Sequence, residues 1–501
     1  MTFYVTTPIY YVNAAPHLGH AYTTIAADIL ARHRRQRGDE VFFLTGTDEH
    51  GEPVALAAEK LGITPQELAD RNAERFRALA PRLDASNDFF IRTSDPRHKL
   101  RVQEILSRVR DNGYVYRGTY AGWYCPRCAD FKTETEMGPD RTCAIHRIPL
   151  EHHEEDNYFF KLSAFQERLE RLYADRPDFV LPSHHFNEAR SFIGQGLQDI
   201  SLSRSKLTWG VKVPWDETQV FYVWFDALLN YVTALSFARE GEDLTDRFWP
   251  ADFHLIGKDI LKFHAVFWPA LLMAADLEPP RHLFVHGFLL MGGEKMSKSQ
   301  GNVLDPFEVI DTFGVDALRY YCFREVSFGR DGSVSRDGFD ARYEGELANE
   351  LGNLASRTIA MVNRYRDGVI PPVLTVPALS ADFAGLGDEV CGLLDRAEIS
   401  QALEAIWQRV RRLNRYVEEQ APWKLAKDPD RAGELDGVLA SLAEGLRVVT
   451  VLLVPYLPAS MGILLAALGE SDAGFGAAAL RESGSGARVE TIPPLFPKLR
   501  A

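Results

Sequence analysis

Over residues 3–61 the chain alternates between apolar runs and helical periodicity, and this rhythm constrains the fold more than any other feature. Phe3-Tyr-Val-Thr-Thr7 reads as a short strand, followed by a loop containing Pro8 and Pro16. From about His20 to Arg35, apolar residues recur at Ala21, Ile25, Ala26, Ile29 and Leu30, the spacing of one helical face. Glu40-Val-Phe-Phe-Leu44 is a second apolar run, ending in Thr-Gly-Thr-Asp48, and Pro53–Leu61 is again helical. Strand, helix, strand, helix with uninterrupted apolar strands predicts an α/β domain on a buried parallel sheet. Further helices are predicted over Pro65–Leu79 and Pro96–Asn112.

Residues 116–214 break the rhythm. They hold three of the five cysteines, with strand-like alternation at Tyr120–Tyr124 and Asn157–Leu162. The α/β rhythm resumes with Val220-Phe-Tyr-Val-Trp224, Phe253-His-Leu-Ile-Gly257 and His282-Leu-Phe-Val-His286. The expectation is one α/β domain, 1–115 and 215–290, split by an insertion at 116–214. A loop and contact region follows over 291–345. After Arg342 strand signals vanish, and a helical domain is expected over 346–468 with Pro371–Pro377 as a linker. The tail, 469–501, is rich in Gly, Ala and Ser and reads as loosely ordered.

Composition narrows the classes. In 501 residues, 46% are hydrophobic and 25% charged, which fits several globular domains and excludes disordered, collagen-like and small disulfide scaffolds. An odd number of cysteines argues against a disulfide framework. The 56 basic and 70 acidic residues give a net charge of −14, so a nucleic-acid partner must meet a local basic surface. The longest apolar stretch, Val448–Gly469, is divided by Pro455 and Pro458 and reads as two buried helical pieces rather than a membrane span. The first residues lack the basic stretch and apolar run of a secretory signal, so a cytoplasmic location is expected.

Three motifs carry chemistry. Cys125-Pro-Arg-Cys128 and Cys143-Ala-Ile-His146 form a C-x2-C…C-x2-H arrangement. Each pair can bend around one ion, and together they complete a tetrahedral thiolate/imidazole zinc site; the bland alternative is a chance cluster of buried thiols. Four protein ligands leave no open position, so the zinc is expected to be structural. Cys322 and Cys391 read as core residues. His17-Leu-Gly-His20 lies where the first strand hands over to the first helix, the edge of an open α/β sheet that holds ligands and attracts phosphate. Those four letters alone fit an ordinary helix start equally well. Lys295-Met-Ser-Lys298-Ser299, bordered by Gly292, Gly293 and Gly301, places two ammonium groups in a glycine-flanked loop suited to a departing polyphosphate, or to solubility. There is no G-x-x-x-x-G-K-[ST] loop and no G-x-G-x-x-G opening the first helix.

In this order, the last two motifs resemble the HIGH and KMSKS elements of class I aminoacyl-tRNA synthetases. The flanking text is similar to the bacterial methionyl-tRNA synthetases. Thr7-Pro-Ile-Tyr-Tyr-Val-Asn-Ala-Ala-Pro-His-Leu-Gly-His20, Thr45-Gly-Thr-Asp-Glu-His50 and Tyr222-Val-Trp-Phe-Asp-Ala227 carry the resemblance. So do Ile256-Gly-Lys-Asp-Ile-Leu-Lys-Phe-His264, Asn353-Leu-Ala-Ser-Arg357 and Gln420-Ala-Pro-Trp423. The resemblance implies a Rossmann-type sheet split by a zinc-binding insertion and followed by an α-helical anticodon-binding bundle. It implies ligation of methionine to tRNA(Met), initiator tRNA included, through methionyl-adenylate, with Mg²⁺ accompanying ATP.

By the same resemblance, the methionine pocket falls on Ile9, Tyr11, Asp48, Trp224, Ala227, Tyr231, Ile260 and His264. An unbranched thioether suits aromatic and aliphatic walls, and a buried carboxylate such as Asp48 suits the substrate ammonium. His17, Gly19 and His20 would hold ATP, with Lys295 and Lys298 on its phosphates; Asp259 would meet the ribose or the amine, or serve structure alone. Asn353, Arg357 and Trp423 match positions that read the CAU anticodon, and Arg409-Val-Arg-Arg-Leu-Asn-Arg415 offers a basic stripe for phosphates or a solvated face. One ligand set, Cys125, Cys128, Cys143 and His146, implies one zinc. Without the family's OB-type C-terminal domain, a monomer is expected. Other readings are a class I ligase for leucine, isoleucine or valine, for whose editing insertion the chain has no room, a non-catalytic tRNA-binding paralogue, and a zinc-dependent nucleic-acid-binding module.

Overall fold

The computed structural model describes residues 1–127, 130–132, 134, 137–291, 294–295, 306–374 and 377–498. Six parallel strands form the central sheet: β1 (Thr2–Tyr11), β2 (Glu40–Asp48), β3 (Phe89–Arg92), β4 (Val180–Leu181), β5 (Phe253–Gly257) and β6 (His282–His286). Their order is β3-β2-β1-β5-β6-β4. The chain winds outward from β1 to β3 on one side and returns on the other through β5 and β6. The carboxyl ends of β1 and β5 therefore flank a topological switch point, where open α/β sheets leave a crevice. Pro8 has no N–H for the ladder, and the β1–β2 register shifts between Thr6 and Ile9, so the bulged end of β1 turns Ile9 and Tyr11 toward that crevice.

Six helices matter for the sites: α1 (Leu18–Gln36), α2 (Pro96–Asp111), α3 (Val223–Thr233), α4 (Val315–Glu325), α5 (Asn353–Arg366) and α6 (Ile399–Gln420). One hydrophobic core joins α1 and one sheet face to the helices of the C-terminal third. A second lies under the other face and includes much of α3.

Three findings differ from the sequence expectation. Val220–Trp224 is not a strand of the parallel sheet. Asp216–Phe221 pairs antiparallel with Ser203–Arg204 and Lys212–Val213, and Val223 already opens α3. Every residue of α3 is buried, so its start carries the unbroken apolar run of a central strand. Second, the central sheet takes β4 from within residues 116–214, where the long ladder between Val115–Cys125 and Glu151–Phe160 is antiparallel. Third, residues 469–498 hold little helix or strand but are fastened to the body. Ile370 N–H donates to Ala487, Val489 N–H donates to Gly368, and Phe496 is buried.

The apolar stretch near Val448 forms two helices, Ala432–Leu453 and Pro458–Ala467, split at the prolines as expected. No helix among the described residues is long and apolar enough to cross a membrane.

Candidate active site

The crevice at the switch point is a single cavity, and it gathers Ile9, Tyr11, His17, Gly19, His20, Asp48, Trp224, Ala227, Tyr231, Ile260 and His264. These are all eight positions expected around an amino acid and all three of the histidine motif. Residues that sequence reasoning did not single out, among them Thr23, Leu228, Gly257, His286 and Phe288, line the same space, as does Asp259. No local pattern marks them; the strand order brings them there.

One end has aromatic walls. Trp224 stacks on Phe263 at 3.7 Å between centroids and meets Tyr11 edge-on at 6.5 Å. His264 sits in a π-turn, Phe263–Phe267, whose wider winding sets the ring at the cavity. Burial lowers the His264 imidazole to about 4, so the ring is neutral near pH 7. Its Nδ1–H donates to the Ile260 carbonyl at 3.0 Å, which leaves Nε2 to accept from the Tyr231 hydroxyl at 2.8 Å. An uncharged, hydrogen-bonded pair at the base of an aromatic slot suits a soft, weakly polar group such as a thioether sulfur.

Asp48 supplies the acidic group at this end. It is buried, and its Oδ1 has no hydrogen-bond partner among the described residues. Burial, and then the charge of Asp226, push its carboxyl well above the usual range, while the backbone N–H of His50 works the other way. A buried carboxylate oxygen left unmatched on a cavity wall is suited to a cation delivered by a ligand.

At the other end the histidine motif builds the first turn of α1. His17 is the N-cap, and its Nδ1 accepts from the Gly19 N–H at 3.1 Å. His20 closes the capping box by accepting the His17 N–H on Nδ1 at 3.0 Å. A backbone N–H can only donate, so on both neutral rings the proton lies on Nε2, a donor. The rings lie 3.8 Å apart. Gly19 is required by geometry: a Cβ there would lie 2.9 Å from His17 Cε1 and 3.0 Å from its Nδ1. The glycine makes room for the His17 ring as well as for a ligand. Two imidazole N–H groups over a helix N-terminus are suited to an anion. Nearby, His286 donates from Nδ1 to the Gly287 carbonyl and accepts the Thr23 hydroxyl on Nε2 at 2.7 Å. Asp259 folds back over Gly257, where a Cβ would lie 2.7 Å from its Oδ1.

The lysine motif is only partly described. Leu289–Met291 follows β6 and pairs antiparallel with Glu294–Lys295, which leads Lys295 off the rim that carries His286. Lys298 lies outside the described residues.

In the insertion, Cys125 ends the strand Val115–Cys125 and Cys143 ends Thr142–Cys143, both buried. His146 Nδ1 lies 3.9 Å from Cys125 Sγ and 3.8 Å from Cys143 Sγ. Zn–S and Zn–N bonds of about 2.3 and 2.0 Å at a tetrahedral angle place sulfur and nitrogen about 3.5 Å apart, so the three residues fit one zinc ion after a small inward shift. Cys128 lies outside the described residues. Cys322 is buried, and Cys391 is half-buried with its Sγ 3.7 Å from Asp395.

In the helical region, Asn353 and Arg357 stand one turn apart on α5. Arg357 reaches α6, donating to Asn414 at 2.9 Å and Glu418 at 2.8 Å. Trp423 follows in the short helix Pro422–Leu425 and is 39% exposed. The basic stripe is largely neutralised: Arg411 pairs with Glu404, while Arg409 and Arg412 engage Asp382, Glu389 and Glu419. Arg415 stays exposed.

A sequence model of the family described as tRNA synthetases class I (M) matches residues 3–147 and 135–359. A methionine–tRNA ligase of Streptomyces coelicolor is 47% identical over 91% of this chain and 87% of its own length. That of Bacillus subtilis is 43% identical over 100% of this chain and 78% of its own. The solved structure of Mycobacterium tuberculosis methionyl-tRNA synthetase in complex with methionyl-adenylate superposes with a TM-score of 0.95, at 42% identity and covering 99% of both chains. Identity of this order over nearly the whole length, around a cavity with an aromatic slot at one end and an anion site at the other, places the chain in the methionine–tRNA ligase family of class I tRNA synthetases.

Proposed function

We propose that this single cavity holds both substrates of methionine activation. The observation that carries the reading is its polarity: a neutral aromatic slot, an unmatched buried carboxylate, then a helix start capped by two imidazole donors. Methionine lies with its sulfur near Tyr231 and His264, its chain against Ile9, Tyr11, Trp224, Ala227 and Ile260, and its ammonium on Asp48. ATP lies toward Gly19, with His17 and His20 donating to its phosphates. Lys295 and Lys298 take up the charge of the departing pyrophosphate, and Mg²⁺ travels with ATP.

Activation needs little acid–base chemistry. The methionine carboxylate attacks the α-phosphorus in line, the bond to the bridging oxygen breaks, and pyrophosphate leaves. Alignment and preorganised donors carry the rate. A ribose hydroxyl of the terminal tRNA adenosine then attacks the activated carbonyl, and AMP leaves.

Cys125, Cys128, Cys143 and His146 hold one structural zinc in the insertion, where it fixes the local turns and takes no part in the chemistry. The helical region, 346–468, reads the CAU anticodon of tRNA(Met) through Asn353, Arg357 and Trp423, whose exposed ring can stack on an unpaired base. The protein works as a monomer in the cytoplasm. Charging of transcribed tRNA(Met) with methionine, beside the same transcript carrying an altered anticodon, tests this reading. Efficient charging of the CAU transcript with strong loss on the altered one is expected. Equal charging of both overturns the anticodon assignment.

A further inference from the structure

We infer that His98, buried and outside the cavity, is a positioning residue for the amino-acid end of the site, acting through Asp226 and His50 on Asp48. The inference rests on the reading of Asp48 as the ammonium ligand.

Asp226 is gripped at both oxygens. His98, on α2, reaches Oδ1 with its Nε2 at 2.7 Å, and His50 reaches Oδ2 with its Nδ1 at 2.5 Å. The Thr233 hydroxyl, at the end of α3, meets His98 Nδ1 at 2.7 Å. Asp226, His50 and His98 are all buried. Burial alone would raise the Asp226 carboxyl, but the two imidazoles hold it well below the usual range. An ionised carboxylate can only accept, so both imidazoles donate to it. The second His98 nitrogen, Nδ1, shares its hydrogen bond with the Thr233 hydroxyl, which fixes the ring from the far side.

The network reaches the cavity by two routes. Asp226 stands on the first turn of α3 between Trp224 and Ala227, both of which line the cavity. His50, held by Asp226 through its side chain, presents its backbone N–H to the Asp48 carboxylate. Strand β2, where Asp48 sits, is thereby tied to α3, and α3 in turn to α2.

Charge explains why the arrangement bears on substrate. Asp48, Glu49 and Asp226 are three buried carboxylates close together. Arg92 neutralises Glu49 through bonds of 2.7 and 2.8 Å. The imidazoles answer Asp226. Asp48 is left with an unmatched oxygen, whose counter-charge comes with the amino acid. Packing alone would not require this network, since apolar side chains of similar volume commonly replace buried charged groups without loss of stability. Removing the His98 donor leaves Asp226 half-answered. Its charge then weighs more heavily on Asp48, and the first turn of α3 loses its anchor. The ATP end, on α1, shares none of these bonds.

The test is ATP–pyrophosphate exchange with the full-length protein, measuring KM for methionine and for ATP separately. The variants are His98→Leu, His98→Gln, Thr233→Val and Asp48→Asn. His98→Leu should raise the methionine KM about tenfold or more, the scale of a lost hydrogen bond to a charged group, while the ATP KM stays within about twofold. His98→Gln, which keeps an N–H able to reach Asp226, should recover most of that loss. Thr233→Val should give a smaller rise of the same kind. The inference is overturned if His98→Leu leaves the methionine KM unchanged while Asp48→Asn raises it. It is equally overturned if the loss falls alike on kcat and both KM values and His98→Gln does not restore it, the mark of a structural role. If His98→Leu does not fold, wild-type methionine KM values in both His98→Gln and Thr233→Val overturn it. An unchanged methionine KM in Asp48→Asn would instead remove the reading of Asp48 on which the inference stands.

Discussion

Arg319 and Asp28 meet at 2.7 Å with both side chains fully buried, although 291 residues separate them in sequence. Arg319, on α4, also donates to the carbonyls of Leu83, Pro455 and Tyr456. Asp28 lies on α1, whose first turn carries His17 and His20. One guanidinium therefore joins the helix of the anion site to the hinge between the last two long helices. Arg319→Met would leave a buried carboxylate facing Arg32 and Ser86 alone, and we expect a loss of about 3–5 kcal/mol in urea unfolding. Burial works to raise the Asp28 carboxyl, but Arg319, Arg32 and Ser86 bring it below the usual range. A group lowered in the folded state stabilises fully above its unfolded value, about pH 4, and loses that contribution as the pH falls through its folded value. Asp28→Asn should flatten this acid limb of the stability curve. An unchanged limb would show that the pair does not set it.

Gly19→Ala tests the anion site without removing a donor. The new methyl group would strike the His17 ring, which must then swing out of the capping box. The expected result is an ATP KM raised about tenfold, with the methionine KM little changed. Unaltered ATP KM would show that the His17 orientation does not matter for nucleotide binding.

Cys143→Ser addresses the insertion. Its sulfur and that of Cys125 both lie beside His146 Nδ1. Metal analysis of the purified variant should give zinc content falling toward zero, with lowered stability of the insertion to proteolysis. Retention of one full equivalent would exclude Cys143 as a ligand.

Trp423→Ala separates the two halves of the reaction. The residue is partly exposed and lies 135 residues in sequence beyond Phe288, the last cavity-lining residue. Loss of one stacked base, about 1–3 kcal/mol, should reduce tRNA charging roughly fivefold to a hundredfold and spare pyrophosphate exchange. Collapse of exchange as well would mean that Trp423 supports the fold.

The sheet was legible wherever a long apolar run met a turn signal, as at Phe3, Glu40, Phe253 and His282. Phe89–Arg92 and Val180–Leu181 escaped because they are short edge strands with no periodicity to count. At Val220–Trp224 burial misled, since the start of a helix buried on every face has the composition of a central strand. Of the cavity residues, the histidine motif was legible by its place in the chain and eight more only through the family resemblance, and the contacts behind them were not legible. That Gly19 makes room for His17, and that Asp226 is shared by His50 and His98, are facts of three-dimensional approach between distant segments. The basic stripe of α6 shows the converse. Its arginines left a phosphate surface and a solvated face both open in the sequence, and the carboxylates of Glu404, Asp382, Glu389 and Glu419 beside them become visible only in the fold.

ATP–pyrophosphate exchange measured across the twenty amino acids, with no tRNA present, tests the central claim most directly. A neutral aromatic slot ending in Tyr231 and His264, with the buried Asp48 carboxyl group placed to receive an ammonium, predicts strong exchange with methionine and little with leucine, isoleucine or valine. Exchange driven equally by a branched aliphatic amino acid, or none at all from folded, zinc-loaded protein, would contradict it.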